Sequence, residues 1–204
     1  TLIYEHSHYP YRQIRQAIQG AGERMRREII ELGLRHRGKH DEMLRAFCAG
    51  QQFRFDILMD IGGFRDMHRH RRCIQIGQDF TWLHGFDTPE DLVSAGLQSR
   101  YEAAMERAEK TAVSLAGDGG SGDSSDARSR AVYALPLAYR KRTLFKMDFA
   151  EALYIAELRT TPAGHFSYRN VAFAMYEAVA GRYPALAPYF RVTDVREPVD
   201  LLKR

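Results

Sequence analysis

Most of this chain carries its apolar residues at helical spacing, and in two stretches they alternate enough to read as strands; that rhythm predicts its elements. After a loop at residues 6–10, Ile14, Ile18, Met25, Ile29 and Ile30 recur at roughly helical intervals with arginines between them. Gly20 and Gly22 interrupt this stripe, so residues 11–34 read as one weakened helix or two short ones. Residues 35–40 are a polar, solvated break, and Asp41 is a candidate N-cap for a short helix through Phe47. From Gln52 to Met59 the period becomes two: Phe53, Phe55, Ile57 and Met59 take one face, Arg54 and Asp56 the other. That is a strand with one buried side. Asp60, Gly62 and Gly63 then turn the chain into a helix beginning near Phe64, which would put Arg65, Arg69 and Arg72 on one face with His68 beside Arg72.

Residues 77–86 are irregular and hold Trp82. Thr88 as cap, Pro89 in the first turn and the acids Glu90 and Asp91 mark a helix start, carried on by Leu92, Ala95, Tyr101, Ala104, Met105 and Ala108 with Gly96 as its weak point. Residues 117–129 are rich in Gly, Ser and Asp and read as a long flexible surface loop. Residues 131–137 are apolar, and Tyr139 to Met147 alternates as a second strand with Arg140, Arg142 and Lys146 on one side. Asp148 and Glu151 form a capping box for a helix to about Arg159. Residues 160–164 break it, a further helix runs from about Ser167 to Gly181, and the tail to Arg204 packs without chemistry of its own.

The composition fits a globular chain: 204 residues, 45% hydrophobic, with a formal charge of +4. That length suits one well-packed domain or two small ones, and the pattern reads as a single domain over residues 1–204. The chain opens on Thr1 in mid-pattern, which reads as a piece of a longer polypeptide. Cys48 and Cys73 have neither disulfide-framework nor zinc spacing and read as reduced thiols of a cytoplasmic protein. No apolar run reaches membrane-spanning length. The excess of positive charge is too small to imply nucleic acid, and the arginines do not interleave with aromatics as a nucleic-acid groove requires.

The charge is concentrated instead. Arg65–Arg72 holds four arginines and two histidines against one acid, Asp66. So dense a cationic run beside buried sequence calls for an anion. Other chemistries are poorly patterned. His68 and His70 point to different faces with no matched carboxylate, neither cysteine has an activating neighbour, and Ser94 and Ser167 lack a glycine-flanked elbow. The basic run, with Arg142 and Arg159, suits a clamp on phosphates and on a developing oxyanion, because guanidinium stays charged and donates in a planar fork.

These residues carry a resemblance. Arg69-His70-Arg71, preceded by Phe64-Arg65-Asp66, resembles the Arg-His-Arg hallmark of flavin-dependent thymidylate synthases. Leu135-Pro136-Leu137 through Glu157-Leu158-Arg159 is similar, without gaps, to the family's second block, and together they cover most of residues 53–184. The resemblance implies an α/β (α+β) fold with a central antiparallel sheet flanked by helices, in a homotetramer with shared active sites. It implies FAD as cofactor, NADPH and methylenetetrahydrofolate as co-substrates, and C5 methylation of a uracil nucleotide, dUMP or UMP. On that pattern Arg69, His70 and Arg71 contact FAD, and Arg69 also reaches the nucleotide. Asp66 stands at a nucleotide-contact position, Arg142 adds a second basic surface for the substrate, and Arg159 is the catalytic arginine that helps ionise the uracil ring. The chain also departs from the family. Ile76-Gly77, Asp79 and Thr81 replace Asn-Glu, Ser and Arg; Val132 stands for an arginine; Asp148, Ala150 and Tyr154 replace Asn, Arg and Asn. These changes open a second reading, a catalytically degenerate structural or interaction domain of a larger protein.

Overall fold

The computed structural model describes residues 1–39, 41–117 and 124–198. In chain order the elements are α1 (Tyr11–Gly20), α2 (Glu23–Leu34), α3 (Arg45–Cys48), β1 (Gln52–Asp60), α4 (Ile61–Met67), β2 (Ile74–Gly77), α5 (Glu90–Ser94), α6 (Gln98–Ala116), α7 (Ser124–Ala131), β3 (Arg140–Asp148), α8 (Phe149–Arg159) and α9 (Phe166–Arg182). The strands form one antiparallel sheet in the order β1-β3-β2. Strand alternation decides its faces: Phe53, Ile57 and Met59 of β1 and Thr143, Phe145 and Met147 of β3 are buried, while Arg54, Asp56, Leu58, Arg142 and Leu144 are exposed. This is the helix-flanked antiparallel sheet that the resemblance implies.

The chain divides into two compact units. The first comprises Thr1–Phe55, His70–Ile74 and Phe145–Arg204. Its centre is α8, which is buried on almost every side because its sequence is apolar and alanine-rich from Phe149 to Ala156. An aromatic cluster packs around its first turn: Phe149 meets Phe47, Phe53 and Phe190, and Phe190 meets Tyr176 of α9. The second unit comprises Asp56–Arg69 and Gln75–Leu144. There Ala112, Leu135 and Tyr139 are buried beneath Phe80, Trp82, Phe86, Met105, Val132 and Ala134. The Tyr139 hydroxyl, the one polar atom of that core ring, is satisfied by the Met105 carbonyl at 2.9 Å and by Glu109 at 3.1 Å.

Residues 11–34 form two short helices, one of the two expected arrangements, because Ala21 is extended between them. Several other expectations change. Asp41 caps no helix; its carboxylate accepts from the Gly38 N–H at 2.6 Å and closes a turn, and α3 starts only at Arg45. Helix α4 begins at Ile61, with Asp60 accepting from the Gly63 N–H at 2.7 Å, and ends at Met67. It therefore stops before Arg69 and Arg72, which share no helical face with Arg65. Residues 74–77 form an edge strand that the sequence pattern did not mark. The helix expected after Thr88 is split at Gly96, whose φ of +69° suits glycine, and the Thr88 hydroxyl bonds Glu102 instead of capping. Within the expected loop at residues 117–129, α7 begins at Ser124, and residues 118–123 lie outside the described residues.

Candidate functional site

Helix α8 presents its polar side chains at chosen points. Asp148 caps it by accepting from the Glu151 N–H at 2.9 Å, the expected half of the capping box. The Glu151 carboxylate does not return that bond; it is buried beside the triplet's histidine. His70 is only 5% exposed. Its Nδ1 lies 3.5 Å from Glu151 Oε1, and its Nε2 accepts a hydrogen bond from Nε of Arg159 at 2.9 Å. Tyr154 packs edge-on to the imidazole, and the Arg159 guanidinium lies over the Tyr168 ring at 5.3 Å. Two residues before Arg159 on the same helix, the buried Glu157 accepts two bonds from Arg37, at 2.9 and 2.7 Å, and a third from the Arg191 N–H at 3.0 Å.

Arg71 is exposed and makes no hydrogen bond or ion pair among the described residues. Arg72 is the opposite case. It donates to both oxygens of Asp148 at 2.8 Å and to Sγ of Cys48 at 3.1 Å, and the Asp148 carboxylate raises the guanidinium above its ordinary pKa. Cys73 is buried with its thiol on the His70 carbonyl, and both cysteines are free.

In the second unit, the Arg69 side chain is three-quarters exposed, with its Nε 3.6 Å from Asp66. Arg142 is taken up by a carboxylate: it forms a two-pronged pair with Asp56 across the sheet, at 2.9 and 2.7 Å. That hydrogen bond holds the Asp56 carboxyl below its ordinary range. Arg140 similarly reaches Asp87 and the His84 carbonyl. His68 bonds Gln75 and stacks on Phe64, whose ring also carries Lys141. Of the replaced loop residues, Ile76 is 63% exposed, Asp79 is exposed, and the Thr81 hydroxyl accepts from the Leu83 N–H. Open depressions of about 520 Å³ on α6 and about 410 Å³ beside Thr1, Tyr4 and Tyr11 involve none of the predicted site residues.

Two of the predicted residues are thus joined in each unit, His70 with Arg159 and Asp66 with Arg69. Glu151, Tyr154, Tyr168, Arg72 and Asp56 are close partners outside the predicted site residues. All but Tyr168 carried a signal of another kind: Asp56 on the polar face of a strand, Arg72 in the basic run, Glu151 in the capping box and Tyr154 in place of a family asparagine.

The sequence profile of the family described as thymidylate synthase complementing protein matches residues 5–185. The chain belongs to this family. It is similar to the UPF0159 protein of Chlamydia muridarum (33% identity over 150 residues, 74% of this chain and 26% of the relative). It is likewise similar to the UPF0159 protein of Thermoplasma acidophilum, at 33% identity over 141 residues, 69% of this chain and 27% of the relative. The chain therefore spans about a quarter of the length of the curated relatives it matches. Among the described residues, no helix of this family member is long and apolar enough to cross a membrane.

The thymidylate synthase complementing family is flavin-dependent. In the first unit Arg71 makes no hydrogen bond or ion pair among the described residues, and in the second Arg69 is exposed with a long contact to Asp66; taken singly, each guanidinium has the charge and planar fork that suit a phosphate. Asp148 and Ala150 stand where the resemblance implies an asparagine and an arginine, and the Asp148 carboxylate is occupied by Arg72.

Proposed function

We propose that the chain works in FAD-dependent C5 methylation of a uracil nucleotide, dUMP or UMP, with methylenetetrahydrofolate as one-carbon donor and NADPH as reductant. Membership of the thymidylate synthase complementing family supports the reaction class. The observation that carries the reading is the His70–Arg159 bond, which ties the hallmark histidine to the arginine closing the family's second block, 89 residues away. Arg159 then acts as the catalytic arginine. Pinned at Nε and stacked on Tyr168, its guanidinium is oriented before substrate arrives and stabilises the negative charge that develops on the uracil ring. Arg69 and Arg71 hold the phosphates of flavin and nucleotide, and His70 lies against the flavin. Asp66 orients Arg69 towards the nucleotide, and Arg142 reaches the substrate when it exchanges Asp56 for a phosphate. Bound FAD supplies the redox chemistry; the chain supplies position and field. A homotetramer completes the site, as the family pattern implies. Purified chain should show a flavin absorbance band after incubation with FAD, and Arg69→Ala should abolish it. Protein that remains colourless with added FAD would overturn the reading.

A second reading, a catalytically degenerate structural or interaction domain of a larger protein, is favoured by the occupied Arg142 and Asp148 and by Ile76, Gly77, Asp79 and Thr81. It predicts FAD binding without turnover, or neither.

A further inference from the structure

We infer that Glu151 is a positioning residue that sets the tautomer of His70 and, through it, the direction of the Arg159 guanidinium. The role given to Arg159 rests on the function proposed above; the positioning itself rests on geometry within the first unit. A neutral imidazole carries one N–H and one acceptor nitrogen. Since Arg159 Nε can only donate, His70 Nε2 must be the acceptor in their 2.9 Å bond, and the single proton then sits on Nδ1. Nδ1 faces Glu151 Oε1 at 3.5 Å, an attraction that favours the N–H on that side. The opposite tautomer would set two N–H groups against each other at Nε2 and turn the Nδ1 lone pair towards a carboxylate.

Burial makes this preference count. His70 and Glu151 are each about 5% exposed, so water does not compete effectively for either nitrogen. Glu151 is itself held by Arg72, 3.6 Å from its other oxygen, and by its place in the first turn of α8 behind the Asp148 cap. Arg159 stands two turns further along the same helix. The line Glu151–His70–Arg159 therefore runs anion, neutral ring, cation, with Glu151 fixed by the helix it belongs to, His70 by Glu151 and Arg159 by His70. With Tyr168 beneath its plane, the guanidinium keeps one orientation without drawing on substrate binding. No acid is needed at this place for helix capping, because only the Glu151 backbone N–H takes part in the cap.

The test is long-range ¹H–¹⁵N NMR of the histidine ring nitrogens in the 204-residue chain, with His70 assigned by His70→Gln. Wild type should show protonated Nδ1 and bare Nε2. Glu151→Ala should lose that single-tautomer pattern and shift the Arg159 Nε resonance; Glu151→Gln, which keeps an acceptor oxygen, should retain it. Arg72→Ala leaves Glu151 in place and should retain it as well, which separates tautomer control from a general loss of packing. Protonated Nε2 in wild type, or a Glu151→Ala spectrum identical to wild type, would overturn the inference. Calorimetric binding of dUMP and UMP adds the functional arm: Glu151→Ala should bind about tenfold more weakly, the scale of one charged hydrogen bond, and Glu151→Gln within about twofold. If wild type binds neither nucleotide, the proposed function fails while the spectra still decide the role of Glu151.

Discussion

Removing the Glu157 carboxylate should be among the most damaging single changes in the first unit. Glu157 and Arg37 are nearly out of solvent, their side chains 4% and 8% exposed, and they are joined by two bonds at 2.7 and 2.9 Å. The Arg191 N–H contributes a third bond to the same carboxylate. Glu157→Leu leaves a buried guanidinium without its anion and a backbone N–H without its acceptor. Breaking a buried pair from one side costs about 3–5 kcal/mol, whereas replacing both partners with apolar groups of similar volume is often near neutral. Against a total stability of roughly 5–15 kcal/mol, the single change is severe. The double variant Arg37→Met with Glu157→Leu should recover most of the loss. Urea unfolding followed by far-ultraviolet circular dichroism measures both. A Glu157→Leu cost below about 1 kcal/mol would refute the reasoning, because an uncompensated buried charge cannot be that cheap. So would a double variant as unstable as the sum of the two singles. Since Leu158 and Arg159 follow directly, the measurement also tests whether the end of α8 is anchored by this pair.

Further outcomes are expected at three places. A Cβ on Gly164 would lie 2.6 Å from Tyr168 Cε2 and 2.8 Å from its hydroxyl, so Gly164→Ala should push the ring from beneath Arg159 and cost ~1–3 kcal/mol in thermal unfolding. Unchanged dUMP affinity in that variant would show that the ring does not hold the guanidinium. Asp56→Asn removes the charge that neutralises Arg142 and should tighten binding of inorganic phosphate and of dUMP; equal or weaker binding would take Arg142 out of the substrate site. Burial pushes the Tyr139 phenol well above its ordinary pKa and raises that of Tyr101. A folded value above the unfolded one means that this contribution is complete below about pH 10 and is lost as pH rises through the folded value. The alkaline fall in melting temperature should accordingly be shallower in Tyr139→Phe than in wild type.

What the sequence reveals of this fold follows physical visibility. Strands β1 and β3 are legible because each has one buried side, which period-two alternation records directly. Helix α8 is legible because Asp148 is both cap and start signal. Strand β2 is not: at the sheet edge both its isoleucines face outward, Ile74 at 55% and Ile76 at 63% exposure, so no buried face marks it. Helix α7 is hidden by the loop-like composition of its neighbourhood. At the site, the triplet and Arg159 are legible as a motif, yet their use is a matter of pairing across the chain. Arg142 reads as a free cation until strand register sets it beside Asp56, 86 residues earlier. Glu151 reads as half of a capping box until the fold turns its side chain towards His70.

Release of tritium from the C5 position of labelled dUMP tests the proposed function most directly, with the chain supplied with FAD, NADPH and methylenetetrahydrofolate. Release above a protein-free blank, abolished in Arg159→Ala, is the predicted result. No release from wild-type chain that has bound FAD would contradict the proposal and leave the domain a degenerate member of its family.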